Sequence, residues 1–477
     1  MRATTKSMTP ALLTASLLAA GLAGCAVGPD YKRPSVPSVH EFRSQVGATE
    51  AASLSDLPWW QVFNDKALQD LISEGLANSY DLKVTVARID AAGAQLGIVR
   101  ADLYPQVVYE AIGARQKSFV PVVQSQNLTY NTFGVAASAA WELDLWGRVR
   151  RATESARANL LAQEHVRRGV MLTLVSEIAS GYFLLIELDR ELAIAQESAD
   201  TYKRTLDLFT QRFQAGRDAK LAVVRAQANY NSSRATIAVL QRAITQQENA
   251  LCVLIGAYPR PIARGTVLPQ QTTPATPVGL TTDLLERRPD ILQAEQIMVG
   301  ANAEIGVAVA NYFPRLGLSA LFGTQATRPE DLFKSSFSVW GIGANLAGPI
   351  FQGGRLQAAY HAQQAFWDES IAQYKKTVTV AFQETSDALI AQQTLVTQRE
   401  ALQGQVDALR EAADLALQRY DAGRATYFEV LEAQQQLFPS ENALAQTLRD
   451  QLVAVVSLYK ALGGGWNLKD ADWTAPR

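Results

Sequence analysis

Three histidines, four methionines and two cysteines in 477 residues leave little for metal or redox chemistry. His40, His165 and His361 stand far apart, and none has a second ligand at metal-binding spacing. Cys25 and Cys252 are equally isolated, so local pattern offers no Cys/His catalytic pair. Cys252 lies in the apolar run LCVLIG and reads as a small core residue. Neither charge is in excess: 44 Lys and Arg stand against 46 Asp and Glu, a net charge of −2. That balance argues against a nucleic-acid binder relying on a basic surface. The chain reads as no enzyme, with neither a metal nor a cofactor. Proline is missing from residues 148–212 and 355–418, which are instead rich in Ala, Leu, Gln, Glu and Arg. Such compositions favour helix, and about 65 residues at 1.5 Å rise span roughly 95–100 Å. Helices that long are usually stabilised by coiled-coil packing.

At the N-terminus, Arg2 and Lys6 precede the apolar run ALLTASLLAAGLAG, the order of a secretory signal. At about 14 residues the run is too short to span a bilayer comfortably. It ends in Leu22-Ala23-Gly24-Cys25, which resembles the bacterial lipobox. That resemblance implies cleavage before Cys25 and acylation of its thiol, and several acyl chains anchor stably. Ala26 follows the cysteine where Asp would signal retention, so the expected destination is the outer membrane.

One stretch is written twice. QRFQAGRDAKLAVVRAQ begins at Gln211 and QRYDAGRATYFEVLEAQ at Gln418; eight of 17 positions are identical at an offset of 207. About one identity is expected by chance, so the chain carries an internal duplication. The duplication is longer than this phrase. Pro105 pairs with Pro314 at an offset of 209, and Gly147-Arg148 pairs with Gly354-Arg355 at 207. Each half reads as helix, proline, two short segments, Gly-Arg, a very long helix, a glycine turn and a further helix. Gly216 and Gly423 fall where the long helices should stop and reverse. The repeated phrase is therefore the turn of a helical hairpin, with tips at about 213–219 and 420–426.

Between proline and Gly-Arg the period changes to two. Leu316, Leu318, Ala320 and Phe322 alternate with Gly317, Ser319, Leu321 and Gly323; Phe133, Val135, Ala137, Ala139 and Trp141 share a face opposite Thr132, Gly134, Ser138 and Glu142. This predicts strands at about 104–117, 130–144, 313–324 and 335–347. Their length suits an outer-membrane strand, yet four strands cannot close a barrel without leaving unpaired edges in lipid. Several copies would have to contribute to one barrel. Glu110 and Glu142 should then face its lumen or a strand end, and Tyr109, Trp141 and Trp340 suit an interfacial aromatic band or core packing. The expected plan is a signal peptide (1–24), a lipidated extended segment (25–58), a first repeat (59–256), a Pro/Thr-rich linker (257–282), a second repeat (283–463) and a tail (464–477).

These features together resemble the outer-membrane efflux factors of the TolC/NodT type. The matching residues are Cys25…Pro29-Asp30-Tyr31…Pro34, Trp59-Trp60-Gln61-Val62-Phe63-Asn64-Asp65, Arg287-Arg288-Pro289-Asp290-Ile291, Gly348-Pro349-Ile350-Phe351…Gly354-Arg355 and Tyr420…Gly423. The resemblance implies a mainly helical fold with a membrane β-barrel. Three copies would give four strands each to a twelve-stranded barrel, and long helical hairpins would continue it as an α-barrel through the periplasm. It implies a passive duct that docks on a periplasmic adaptor and a proton-driven inner-membrane pump of the RND type, carrying drugs or xenobiotics. The helical body would lie in the periplasm and Cys25 in outer-membrane lipid. Metal-ion export or type I secretion remains open within the class. A non-channel periplasmic scaffold lipoprotein is the alternative outside it.

The family also implies roles at the hairpin tips. Tyr420, Glu429 and Glu432 would line the periplasmic aperture, with both carboxylates on one helical face. The repeat counterparts of Glu429 and Glu432 are Ala222 and Arg225, so the acidic ring is confined to the second hairpin. The carboxylate that some relatives carry at the Ala222 position is missing, as is a gating arginine at Ala425. Arg225 or Arg424 is expected to pair with an acidic group of a neighbouring hairpin instead. Gly216, Arg217, Gly423 and Arg424 would meet the adaptor.

Overall fold

The computed structural model describes residues 26–36, 42–43, 54–120, 126–271, 284–469 and 473. Cys25, the signal-like run and the later part of the linker lie outside them.

The elements run in duplicate. The first half has α1 (Trp59–Val62), α2 (Lys66–Asn78), α3 (Tyr80–Ala101), strands β1 (Gln106–Val120) and β2 (Gln126–Leu143), α4 (Arg148–Gln214) and α5 (Lys220–Leu254). The second has α6 (Leu284–Arg287), α7 (Pro289–Ala310), β3 (Arg315–Ala326), β4 (Ser338–Ala347), α8 (Arg355–Asp421) and α9 (Tyr427–Ala461). Both long helices contain 67 residues and both returning helices 35, so the duplication holds at the level of whole elements. β1 and β2 extend past the alternation expected over 104–117 and 130–144, because fifteen consecutive pairs from Gln106↔Ala140 to Val120↔Gln126 continue the ladder.

The chain forms two compact units. The first holds the sheet, with strand order β1-β2-β3-β4 and every neighbouring pair antiparallel. Register fixes the faces. Tyr109, Ala137, Phe322 and Trp340 form one row across the sheet, and Val107, Ala139, Ala320 and Ile342 form the next. That face is apolar and much of it exposed. Glu110, Ser138, Glu142, Gly317, Ser319, Gly341 and Asn345 share the opposite face. Trp141 is half-buried on the apolar face and donates to Leu103 O at 3.0 Å.

The second unit is helical, with a core built on Trp59, Phe63, Tyr182, Leu251 and Tyr459. Asp65 caps α2, accepting from Ala67 N at 2.9 Å and Leu68 N at 3.2 Å. It also accepts from Tyr182 Oη at 3.2 Å, Thr266 N at 2.9 Å and Gln271 Nε2 at 2.8 Å. One buried carboxylate therefore ties the start of the linker to α4. The described start of the linker is anchored further by Ile262 and Leu268, which are buried in the core. α4 contains a window apolar enough to cross a membrane, but 61% of it is buried inside the protein. That burial makes it a core-facing stripe.

Candidate functional site

The hairpin tips end on glycine for a geometric reason. Gly216 (φ +70°) and Gly423 (φ +68°) adopt the left-handed conformation that side chains disfavour. Gly216 N donates to Phe213 O at 2.9 Å and Arg217 N to Arg212 O at 2.8 Å; Gly423 N and Arg424 N repeat these bonds to Tyr420 O and Arg419 O at the same lengths. This is the paired-bond helix stop that satisfies the last carbonyls of each long helix. Arg217 and Arg424 are left exposed beyond the stop.

Behind the turns, the two hairpins are joined by aromatic rings. Phe209 of α4 meets Tyr427 of α9 with centroids 4.2 Å apart and Tyr420 of α8 at 6.3 Å, over buried Leu206 and Ala226. Arg212 donates a hydrogen bond to Tyr420 Oη, and its guanidinium carbon lies 4.8 Å from the Tyr420 ring centroid. Burial raises the Tyr420 pKa, opposed by the Arg212 charge, so the phenol stays neutral and accepts the bond.

The expected acidic pair divides. Glu429 turns back on its own helix: its carboxylate accepts from Thr426 N at 3.2 Å while Thr426 caps the N-terminus of α9. It also lies 3.6 Å from Arg419. Glu432 is exposed, and among the described residues neither it nor Arg225 nor Arg424 makes an ion pair. Within one chain, the structure thus joins Tyr420 to Arg212 and Glu429 to Arg419, and leaves Arg225 and Arg424 apart from both carboxylates.

Arg212 was missed by sequence reasoning, although a signal existed. It is the repeat counterpart of Arg419, and QR is identical in both copies of the phrase. One arginine serves a tyrosine and the other a carboxylate. Among the described residues, no group of three or more His, Cys, Asp or Glu is placed to hold a metal.

At the foot of the sheet, Glu142 is held bidentately by Arg148, at 2.9 Å for each bond, with Arg315 3.9 Å away. Glu110 shares that polar face and is exposed. The first described residues are strapped to the same unit. Val27 N donates to Trp146 O at 3.0 Å, Arg151 pairs with Asp30 at 2.8 Å, and Arg33 makes a two-point contact with Glu295.

Comparison with known proteins agrees with this geometry. A family model described as "Outer membrane efflux protein" matches residues 71–257 and again 280–464, one match for each repeat. The toluene efflux pump outer membrane protein TtgC of Pseudomonas putida is 35% identical over 468 residues, covering 96% of each chain. The cation efflux system protein CusC of Escherichia coli is 33% identical over 461 residues, covering 96% of this chain and all of its own. Among solved structures, the outer-membrane channel OprN superposes with a TM-score of 0.87 at 30% identity, over 93% of this chain and 100% of that one.

Proposed function

The chain belongs to the outer membrane efflux protein family, and from that premise we propose that it is the passive duct of a tripartite exporter, working as a homotrimer. The efflux function is that of the family, whose members are transport channels. One observation supports the trimer most: a four-stranded sheet exposes an apolar face and leaves both edge strands unpaired. Lipid cannot hydrogen-bond those edges, so the sheet must close with strands from further copies. Three copies give twelve strands, within the range of closed outer-membrane barrels.

Acylation of Cys25 anchors the chain in outer-membrane lipid, with the helical body in the periplasm. Gly216, Arg217, Gly423 and Arg424, exposed at the tips, meet a periplasmic adaptor, which couples the duct to a proton-driven inner-membrane pump of the RND type. Three copies of Glu432 line the aperture, and the Arg212–Tyr420 contact helps hold it shut. No step of the transport is catalytic.

The cargo is a class of small organic molecules, drugs or xenobiotics. The scarcity of His and Met supports this over metal ions, as does the likeness to a toluene-pump component. Cation export is the second reading, favoured by the 33% identity to CusC. Deleting the gene should sensitise its host to organic toxicants and leave tolerance of metal cations unchanged. Outer-membrane fractions should contain heat-dissociable trimers that conduct in planar bilayers. Sensitivity to the metals alone would favour the second reading; a monomer without conductance would refute the duct.

A further inference from the structure

Two groups of apolar side chains in the sheet unit are left exposed. After β4, the turn Gly348–Gly354 leaves Ile350 and Phe351 103% and 88% exposed. At the entry to β1, Tyr104 and Val107 are 59% and 70% exposed. β1 and β4 are the opposite edges of the sheet. At about 4.8 Å per strand the two groups lie about 14 Å apart, so one copy cannot bring them together.

The internal repeat shows what each group lacks. In the first repeat, the turn after β2 carries Trp146. Its ring stacks on Phe313 with centroids 4.7 Å apart and planes 24° apart, and its Nε1 donates to Pro314 O at 2.8 Å. Phe313 and Pro314 lead into β3; at the offset of 209 their counterparts are Tyr104 and Pro105, which lead into β1. The turn that carries Trp146 ends in Gly147-Arg148, and its counterpart ends in Gly354-Arg355 and holds a single aromatic ring, Phe351. Within a chain, then, the first repeat seats an aromatic ring on the Phe-Pro pair of the second. The second repeat presents Phe351 with no such pair left, and among the described residues no aromatic ring pairs with Tyr104, which stays 59% exposed.

Strand register leads to the same pairing. Leu143 faces Leu316 across β2 and β3. Ile350 stands four residues before its Gly-Arg, as Leu143 does, and Val107 is the counterpart of Leu316 at 209.

We propose that Phe351 of one copy seats on Tyr104 and Pro105 of the next, with Ile350 beside Val107 of that copy, repeating between chains the contact that Trp146 makes within one. The contact is head-to-tail, so each copy gives one surface and receives the other, and the interface closes only as a ring. It rests on the reading that several copies form one barrel, and it identifies residues that join them.

The test uses the full-length lipoprotein with Cys252→Ser, which removes the buried free thiol. Phe351→Cys with Tyr104→Cys, and Ile350→Cys with Val107→Cys, are treated with a short bis-maleimide in outer membranes. Either pair should give a ladder of dimers and trimers on denaturing gels, more than tenfold above either single variant. Trp146→Cys with Phe313→Cys should cross-link only within the chain and give no ladder. Phe351→Trp should preserve heat-dissociable trimers, and Phe351→Glu should lose most of them. Native trimers that fail to cross-link in both pairs would overturn this contact alone. A monomer in mild detergent would overturn both the contact and the ring it rests on.

Discussion

Arg212 of the first hairpin donates to Tyr420 of the second, while its repeat counterpart Arg419 lies 3.6 Å from Glu429. The duplication thus supplied two equivalent cations, and the surroundings gave each a different acceptor. Tyr420 lies among aromatic rings with its phenol oxygen open to Arg212; Glu429 sits in the first turn of α9. A hydrogen bond from a charged donor at such a half-exposed site contributes about 1 kcal/mol.

If that contact holds the tips closed, Arg212→Ala and Tyr420→Phe should each raise antibiotic influx through the duct when no pump is present. Three copies act together, so a loss of about 1 kcal/mol in each compounds around the aperture. Resting conductance in planar bilayers checks this, with a several-fold increase expected. Arg225 makes no ion pair among the described residues, so Arg225→Ala serves as the comparison.

Glu429 and Glu432 should separate by measurement. Glu429→Ala removes half of a capping box and should destabilise the start of α9 by about 1 kcal/mol. Hydrogen exchange at residues 427–431 should report it. Glu432→Gln should leave exchange unchanged and reduce cation preference, read as a shift of reversal potential in a salt gradient.

Glu187 on α4 is 3% exposed, beside Glu191, with Arg449 and Asp450 on α9. Burial first, then the Glu191 charge, pushes its carboxyl up to about 8. A group whose folded pKa lies above its unfolded value stabilises fully below about pH 4.3 and loses that contribution as pH rises toward about 8. Melting temperature should therefore fall between about pH 5 and 9, and fall less in Glu187→Gln. Parallel pH profiles in the two proteins would contradict this.

Glycines with the same backbone sign should differ in cost. At Gly256 (φ +69°), a Cβ would lie 2.5 Å from Asn78 O, whereas at Gly216 (φ +70°) nothing lies within 4 Å. Gly216→Ala should cost only the left-handed penalty of about 1–2 kcal/mol. Gly256→Ala adds a backbone clash and should cost clearly more, as thermal denaturation of the two variants would show.

Much of the fold was legible because long-range repetition and period are properties of the string. A two-residue period marked β2 and β3, and glycine punctuation marked both tips. What the string hid depends on rotamers and distant partners. Nothing around Asp65 announces that it will gather Tyr182, Thr266 and Gln271, the last 206 residues away. Likewise, the three-residue spacing of Glu429 and Glu432 suggested equal roles, but the first turn of a helix offers free N–H groups to one and not to the other. Arg212 could have been weighed as the counterpart of Arg419, yet only folding decided that it meets Tyr420.

Native mass spectrometry of the protein extracted from outer membranes in mild detergent tests the central claim most directly. A species of three chains that falls to one chain on heating is expected. A single chain before heating, with its sheet edges unpaired in detergent, would contradict the account.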